Sequence, residues 1–338
     1  MFNKKTDKIM KRIQLLLMAV LFGVSFASAQ QELTLEDVAR GTFSSRRLSG
    51  MTPIPGTDEY LQLDDDGRVV KYSFRTGQQV AVVFDKDSTI VQKINSFDGF
   101  ELSPDGTRML IRANSERIYR RSLRADYYIY TIRTTKLERL SDGGKQQVPV
   151  WSPDGNQIAF VRDGNIFLVK LLYDNAESQV TKDGKWNEVI NGIPDWVYEE
   201  EFSTNTSMVF SADSKQIIWI RYDESAVKQY SMQLFRGMAP ERSEYAEYPG
   251  DYTYKYPVPG QVNSKVSVLS YDIQSHQTRR IDLPLDADGY IPRIMATSDP
   301  AKIAIFTMNR HQDVLRIYMA NPLSTVCQLA IEDKVDKY

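Results

Sequence analysis

Along most of this chain, apolar residues come in short runs broken by polar turns, a spacing that predicts strands rather than helices. Met109-Leu110-Ile111-Arg112, Ile158-Ala159-Phe160-Val161-Arg162 and Ile217-Ile218-Trp219-Ile220-Arg221 each follow a compact turn. The turns are related to one another: Leu102-Ser103-Pro104-Asp105-Gly106, Trp151-Ser152-Pro153-Asp154-Gly155 and the degenerate Phe210-Ser211-Ala212-Asp213-Ser214. Proline fixes φ at the first central position, aspartate caps the turn with its side chain, and glycine takes the left-handed conformation. The pattern therefore joins antiparallel strands. A second strand follows in each unit, as in Asp126–Ile132 and Asn165–Lys170, and then a third, as in Lys136–Gly143 and Ser178–Gly184.

Counting the strand before the turn, each unit holds four short strands in roughly 40 to 50 residues, the period of a propeller blade. Weaker copies lie at Tyr60–Phe84, with Asp64–Gly67 as the turn, and at Ile294–Leu323, with Ser298–Pro300 as the turn. The expected fold class is all-β, a β-propeller with about five blades present. An incomplete ring leaves strand edges open, so the chain is expected to be the front part of a longer product. A ring of five blades is the alternative.

Composition agrees with this picture: 42% of the 338 residues are hydrophobic and 11% aromatic, with 19 tyrosines. The 42 basic and 44 acidic residues leave a net charge of −2, which gives no reason to expect a nucleic-acid partner. The N-terminus changes the address. Lys4, Lys5, Lys8, Lys11 and Arg12 precede an apolar run from Ile13 to Phe26, and Ala27-Ser28-Ala29 follows. The run is too short to span a bilayer and has the order of a secretory signal peptide. Residues 1–29 are thus expected to be a leader and 30–338 the propeller domain, exported to the periplasm or cell surface.

A single cysteine, Cys327, cannot form an intrachain bridge, and its apolar neighbours Val326 and Leu329 predict a buried core thiol. The two histidines, His276 and His311, lie far apart with no Cys or Glu at ligand spacing, so neither a metal nor a cofactor is expected. Both fall in apparent hairpin turns, and the sequence contains no Gly-x-Ser-x-Gly nucleophile elbow. No catalytic residue is assigned, and the polypeptide alone is expected to be inactive.

Two insertions interrupt the repeat. The first, Trp186–Phe202, ends in Asp195-Trp196-Val197-Tyr198-Glu199-Glu200-Glu201-Phe202. Asp195 can cap a short helix, with Trp196 and Val197 packing it against a blade. The three glutamates then point about 100° apart around the axis, so adjacent carboxylates can share one region but all three cannot converge. Neighbouring carboxylates repel unless solvated or bridged by a cation, and the protonated amine of a peptide is such a cation. The second insertion, Gln229–Val262, is dense in tyrosine and proline and predicts an extended hairpin arm or a loop folded over its own blade.

The Asp195–Glu201 segment, preceded by Asn191-Gly192-Ile193 and placed between two blades, resembles the double-glutamate motif of the dipeptidyl peptidase IV family. The resemblance implies an eight-bladed propeller followed by an α/β-hydrolase domain that this chain lacks. It also implies that Glu200 and Glu201 bind the free amino terminus of a peptide substrate. Tyr119-Arg120-Arg121-Ser122, followed by Tyr127-Tyr128-Ile129-Tyr130, is similar to the segment whose arginine contacts the substrate's second carbonyl. The matching residue is Arg120, with Arg121 and Arg124 close by. The family's corresponding arm helps form a homodimer. The implied function is substrate selection for a secreted serine exopeptidase that releases Xaa-Pro or Xaa-Ala dipeptides. The competing reading is a non-catalytic periplasmic propeller that binds a protein or peptide partner.

Overall fold

The structure, a computed structural model, describes residues 10, 12–14, 33–45, 50–235 and 248–336. The expected leader cleavage site at Ala27–Ala29 lies outside the described residues, as does the tip of the arm at 236–247. The chain divides into two units, Met1–Gly50 and Met51–Tyr338. In the first, α1 (Leu35–Arg40) begins at a capping box: Thr34 Oγ1 accepts from the Asp37 N–H, and the Asp37 carboxylate accepts from the Thr34 N–H.

Among its described residues the second unit contains five sheets that follow one another along the chain, and a separate two-stranded hairpin. The first has β1 (Thr52–Pro53), β2 (Glu59–Leu63), β3 (Val69–Ser73) and β4 (Gln79–Phe84), paired in that order. The second has β5 (Ile90–Val91), β6 (Gly99–Leu102), β7 (Arg108–Arg117), β8 (Leu123–Thr131) and β9 (Lys136–Arg139). Here the spatial order is β5-β9-β8-β7-β6, with β5 parallel to β9 and the rest antiparallel. The third is the meander β10 (Gln147–Trp151), β11 (Gln157–Arg162), β12 (Asn165–Lys170) and β13 (Ala176–Gln179).

The fourth sheet is the irregular one. Its strands are β14 (Val189–Asn191), β15 (Met208–Phe210), β16 (Gln216–Asp223), β19 (Lys265–Asp272) and β20 (Gln277–Arg280); between β16 and β19 the chain forms the separate two-stranded hairpin β17 (Gln229–Leu234) and β18 (Gly250–Lys255). Both β14 and β15 pair with β16, the former at Arg221–Asp223 and the latter at Ile217–Trp219. The fifth sheet is β21 (Tyr290–Ala296), β22 (Ile303–Met308), β23 (Val314–Ala320) and β24 (Cys327–Lys334).

Adjacent sheets bury their facing side chains against each other. Met109 and Ile111 of β7 pack with Leu61, Val69 and Phe84 of the first sheet, whereas Leu110, between them, packs with Trp151, Ile158 and Phe160 of the third. The fourth sheet repeats the alternation: Ile217 and Trp219 join the cluster with Val161 and Leu168, while Ile218 and Ile220 join Ile294, Ile303 and Ile305 of the fifth. A strand's period of two thus feeds two cores, which is why these runs are apolar at successive positions. The expected propeller-like succession of antiparallel sheets is what the chain forms, with four strands in the first, third and fifth and five in the second and fourth.

The turns also match expectation. Gly106 and Gly155 have φ of 68° and 67°, and Ser214 takes the same left-handed conformation at φ 61° in the degenerate copy. The placement of the glutamate segment requires a correction. It does not lie between two blades; it splits the β14–β15 edge of the fourth sheet. The chain turns away at Gly192, where φ is 77° and an added Cβ would press on Ile166 and Val161 at 3.2 Å. It returns at Ser207, whose N–H donates to the Gly192 carbonyl at 2.9 Å. The arm departs from this same sheet, between β16 and β19.

Candidate functional site

The excursion between Gly192 and Ser207 carries α2 (Trp196–Glu201), which is held at each end by distant residues. Asp195 caps it, its Oδ1 accepting from the Tyr198 N–H at 2.9 Å, while its Oδ2 accepts from the Ser264 hydroxyl at 2.5 Å. Burial pushes the Asp195 carboxyl above its ordinary range, against the lowering effect of these bonds. Tyr198 is buried among Tyr222, Phe202 and Tyr290, and its hydroxyl accepts from the Ile291 N–H at 3.1 Å. Past the helix, the Arg293 guanidinium donates to the Phe202 carbonyl at 3.0 Å. On the outer side, the Trp196 ring lies tilted 4.2 Å from Tyr256 and 6.1 Å from Tyr254, so the base of the arm packs against the helix.

The second component is the turn from Ile118 to Ser122 that connects β7 to β8. It is closed by the Ile118 N–H on the Ser122 carbonyl at 3.0 Å and by the Tyr119 N–H on the Ser122 hydroxyl at 3.2 Å. This turn meets α2 directly. The Arg121 and Ser122 N–H groups donate to Glu199 Oε1 at 2.6 and 2.8 Å, and the Arg121 guanidinium donates to the Ser203 hydroxyl at 3.0 Å. Tyr119 packs on Tyr254 at 5.7 Å, so the arm braces the turn as well as the helix.

The three consecutive glutamates therefore have three different environments. Glu199 is buried and bonded to backbone; Glu200 is largely covered and pairs with Arg120, Nε to Oε2 at 2.8 Å; Glu201 is exposed, with no ion pair among the described residues. The structure thus brings Arg120 and Glu200 together, with Glu201 next along the helix. It also separates the arginines of this segment: Arg124 pairs with Glu116 at 2.7 Å and Arg121 turns to Ser203, so Arg120 alone faces the glutamates. With 72% of its side chain exposed, Arg120 keeps donors free for a ligand.

One guanidinium paired with Glu200, with the Glu201 carboxylate next along the helix, leaves more acidic than basic groups here, which suits a primary ammonium, while the free guanidinium edge suits a carbonyl oxygen. Beside the site an open cavity of about 300 Å³ is lined in part by Arg121, Asn205, Phe100 and Tyr127. No group of three or more metal-ligating side chains occurs among the described residues. His276 is occupied by the Tyr271 hydroxyl at 2.6 Å. Cys327 is only partly buried, contrary to expectation, because it begins the last strand at the margin of its cluster. Burial first, and Asp282 second, push its thiol up to about 11, so it is not a nucleophilic thiolate at neutral pH.

Sequence reasoning missed the structural task of Glu199 and the Ser264, Ile291 and Arg293 contacts. Nothing local marks them, since each partner lies more than sixty positions away.

Residues 103–338 match a family model described as the dipeptidyl peptidase IV N-terminal region. Among curated proteins, a probable dipeptidyl-aminopeptidase B of Emericella nidulans is 32% identical over 325 residues, covering 89% of this chain and 35% of that protein. One from Colletotrichum graminicola is 32% identical over 280 residues, covering 78% and 30% respectively. This chain thus spans about a third of the length of the curated relatives it matches. The crystal structure of Porphyromonas gingivalis dipeptidyl peptidase 4 aligns with a TM-score of 0.85 at 37% identity, over 91% of this chain and 43% of that one. A putative dipeptidyl aminopeptidase IV from Bacteroides ovatus shares the fold, with a TM-score of 0.64 at 17% identity, over 91% and 41%.

Proposed function

The chain belongs to the dipeptidyl peptidase IV family, matching its N-terminal region, and on that premise we propose that it is the substrate-selecting part of a dipeptidyl exopeptidase. Glu200 and Glu201 bind the protonated amino terminus of a peptide, and Arg120 orients the peptide carbonyl that follows. The observation that supports this is the Arg120–Glu200 pair beside exposed Glu201, on a helix whose cap and buried tyrosine are tied to distant residues. A rigid pair of carboxylates measures the peptide from its end. Only a chain whose amine reaches them places its second peptide bond at a fixed distance. Binding energy spent on the amine is thereby converted into alignment of the scissile bond.

The test uses the whole natural gene product and a chromogenic Xaa-Pro substrate with a free amine. Replacing Glu200 or Glu201 by Gln keeps the shape and removes one charge. Each change is expected to reduce kcat/KM by about 2–5 kcal/mol in transition-state terms, thirtyfold or more. Wild-type kcat/KM in both variants would exclude the anchoring role, and no dipeptide release by the unaltered product would exclude the exopeptidase reading.

A further inference from the structure

We propose that Glu199, the inward glutamate of the triplet, is a positioning residue that sets Arg120 against Glu200. The inference rests on the reading of Arg120 and Glu200 as substrate-binding groups. Glu199 is 1% exposed, and a carboxylate taken out of water must find strong donors. It finds two in the same turn: the amides of Arg121 and Ser122 both donate to its Oε1, at 2.6 and 2.8 Å. Both bonds close on one oxygen in a buried contact, where a hydrogen bond is electrostatically stronger than in water.

These amides immediately follow Arg120. Fixing them fixes the peptide planes from which the Arg120 side chain departs. Besides the Arg121–Ser203 bond just past the helix, the turn and α2 are joined inside through Glu199 and outside through the Arg120–Glu200 pair. The outer link cannot hold the geometry unaided, because an ion pair whose arginine is a long, mostly exposed side chain contributes little by itself. The inner link can. Adjacent helical positions point about 100° apart, so seating Glu199 inward also dictates where Glu200 emerges. One buried side chain therefore sets both members of the substrate-facing pair.

A double-mutant cycle in the whole natural gene product tests this. Glu199→Asp keeps the charge but withdraws the carboxylate by one methylene from both amides, and is expected to raise KM for a free-amine dipeptidyl substrate roughly tenfold, with kcat changed less. Glu199→Gln, isosteric and still able to accept at Oε1, is expected to give a smaller rise, about threefold. In an Arg120→Ala background each change is expected to raise KM by a clearly smaller factor, since the part of its effect that runs through Arg120 is gone and only the part through Glu200 remains. Equal rises in both backgrounds, or a wild-type KM in both single variants, would overturn the inference. If Glu199→Asp does not fold, the Glu199→Gln arm carries the same comparison. An unchanged KM in Arg120→Ala alone would instead bring down the substrate-binding reading. The positioning role would then stand or fall on amide hydrogen exchange at Arg121 and Ser122, which must be faster in Glu199→Gln.

Discussion

In the repeated turns of the second, third and fourth sheets, each serine hydroxyl is satisfied within five residues. Ser103 donates to Asp105 at 2.6 Å and accepts from the Arg108 N–H at 2.9 Å; Ser152 does the same with Asp154 and Gln157, and Ser211 with Asp213 and Gln216. In the helical excursion of the fourth sheet, Asp195 reaches forward to Ser264, Tyr198 to Ile291, and Glu199 back to Arg121 and Ser122. The turns complete themselves, whereas the excursion is completed by elements of the second, fourth and fifth sheets. A scaffold can be built from self-sufficient repeats, whereas this one helix is fixed only by several repeats together.

The contrast predicts its largest effect at Tyr198. Tyr198→Ala empties a fully buried position against Tyr222, Phe202 and Tyr290 and leaves the Ile291 amide without its acceptor. A loss of about 3–5 kcal/mol of unfolding free energy is expected, measured by urea denaturation. A cost near 1 kcal/mol would break the comparison by making the helix a decoration on the fourth sheet.

The same contrast decides what the sequence could reveal. Ser-Pro-Asp-Gly is legible because its donors, acceptors and left-handed glycine all lie within a few positions, and the cap at Asp195 is legible because Tyr198 is three residues on. Five successive sheets follow from the repetition of such turns, but the fifth strand in the second and fourth does not. Helix periodicity could say that the three glutamates diverge, but not which one turns inward. That choice is made by the Arg121 and Ser122 amides, nearly eighty residues earlier, and no spacing rule connects them. The same blindness misplaced the helix between blades. A strand split in two by an insertion looks, in one dimension, like the end of one unit and the start of another.

Charge sharpens the comparison. Burial would raise the turn aspartates Asp105, Asp154 and Asp213, but their serine hydroxyls and nearby amides outweigh it and hold them below the ordinary carboxylate range. Under the excursion the balance reverses. Burial, with Asp195 adding to it and Lys255 opposing, pushes Glu224 up to about 7. A carboxyl whose folded value is raised binds more protons folded than unfolded, so its contribution is fully present below about 4.5 and is lost as pH rises through 7. At pH 8, Glu224→Gln is therefore expected to be more stable than the parent by up to about 3 kcal/mol, the gain vanishing near pH 4. Denaturation curves at the two pH values check this. A constant difference would show that Glu224 ionises as freely as an exposed residue.

The smallest expected effect probes whether the turns are as self-sufficient as their hydrogen bonds suggest. Ser152→Ala removes the acceptor for the Gln157 N–H and the donor to Asp154, at a position with no exposure, and should cost about 1–2 kcal/mol. Ser103→Ala should cost the same, since it removes the same two bonds from the same geometry. The turns do touch one another: Arg108 donates to the Gly155 carbonyl at 3.3 Å, and the Asp154 N–H donates to the Ser214 hydroxyl at 3.0 Å. If these contacts are incidental, the Ser103→Ala, Ser152→Ala double variant should lose the sum of the two single costs to within about 0.5 kcal/mol in urea denaturation. A larger departure would mean that the turns form a continuous cross-sheet network. Repeats and excursion would then differ in the length of their connections rather than in kind.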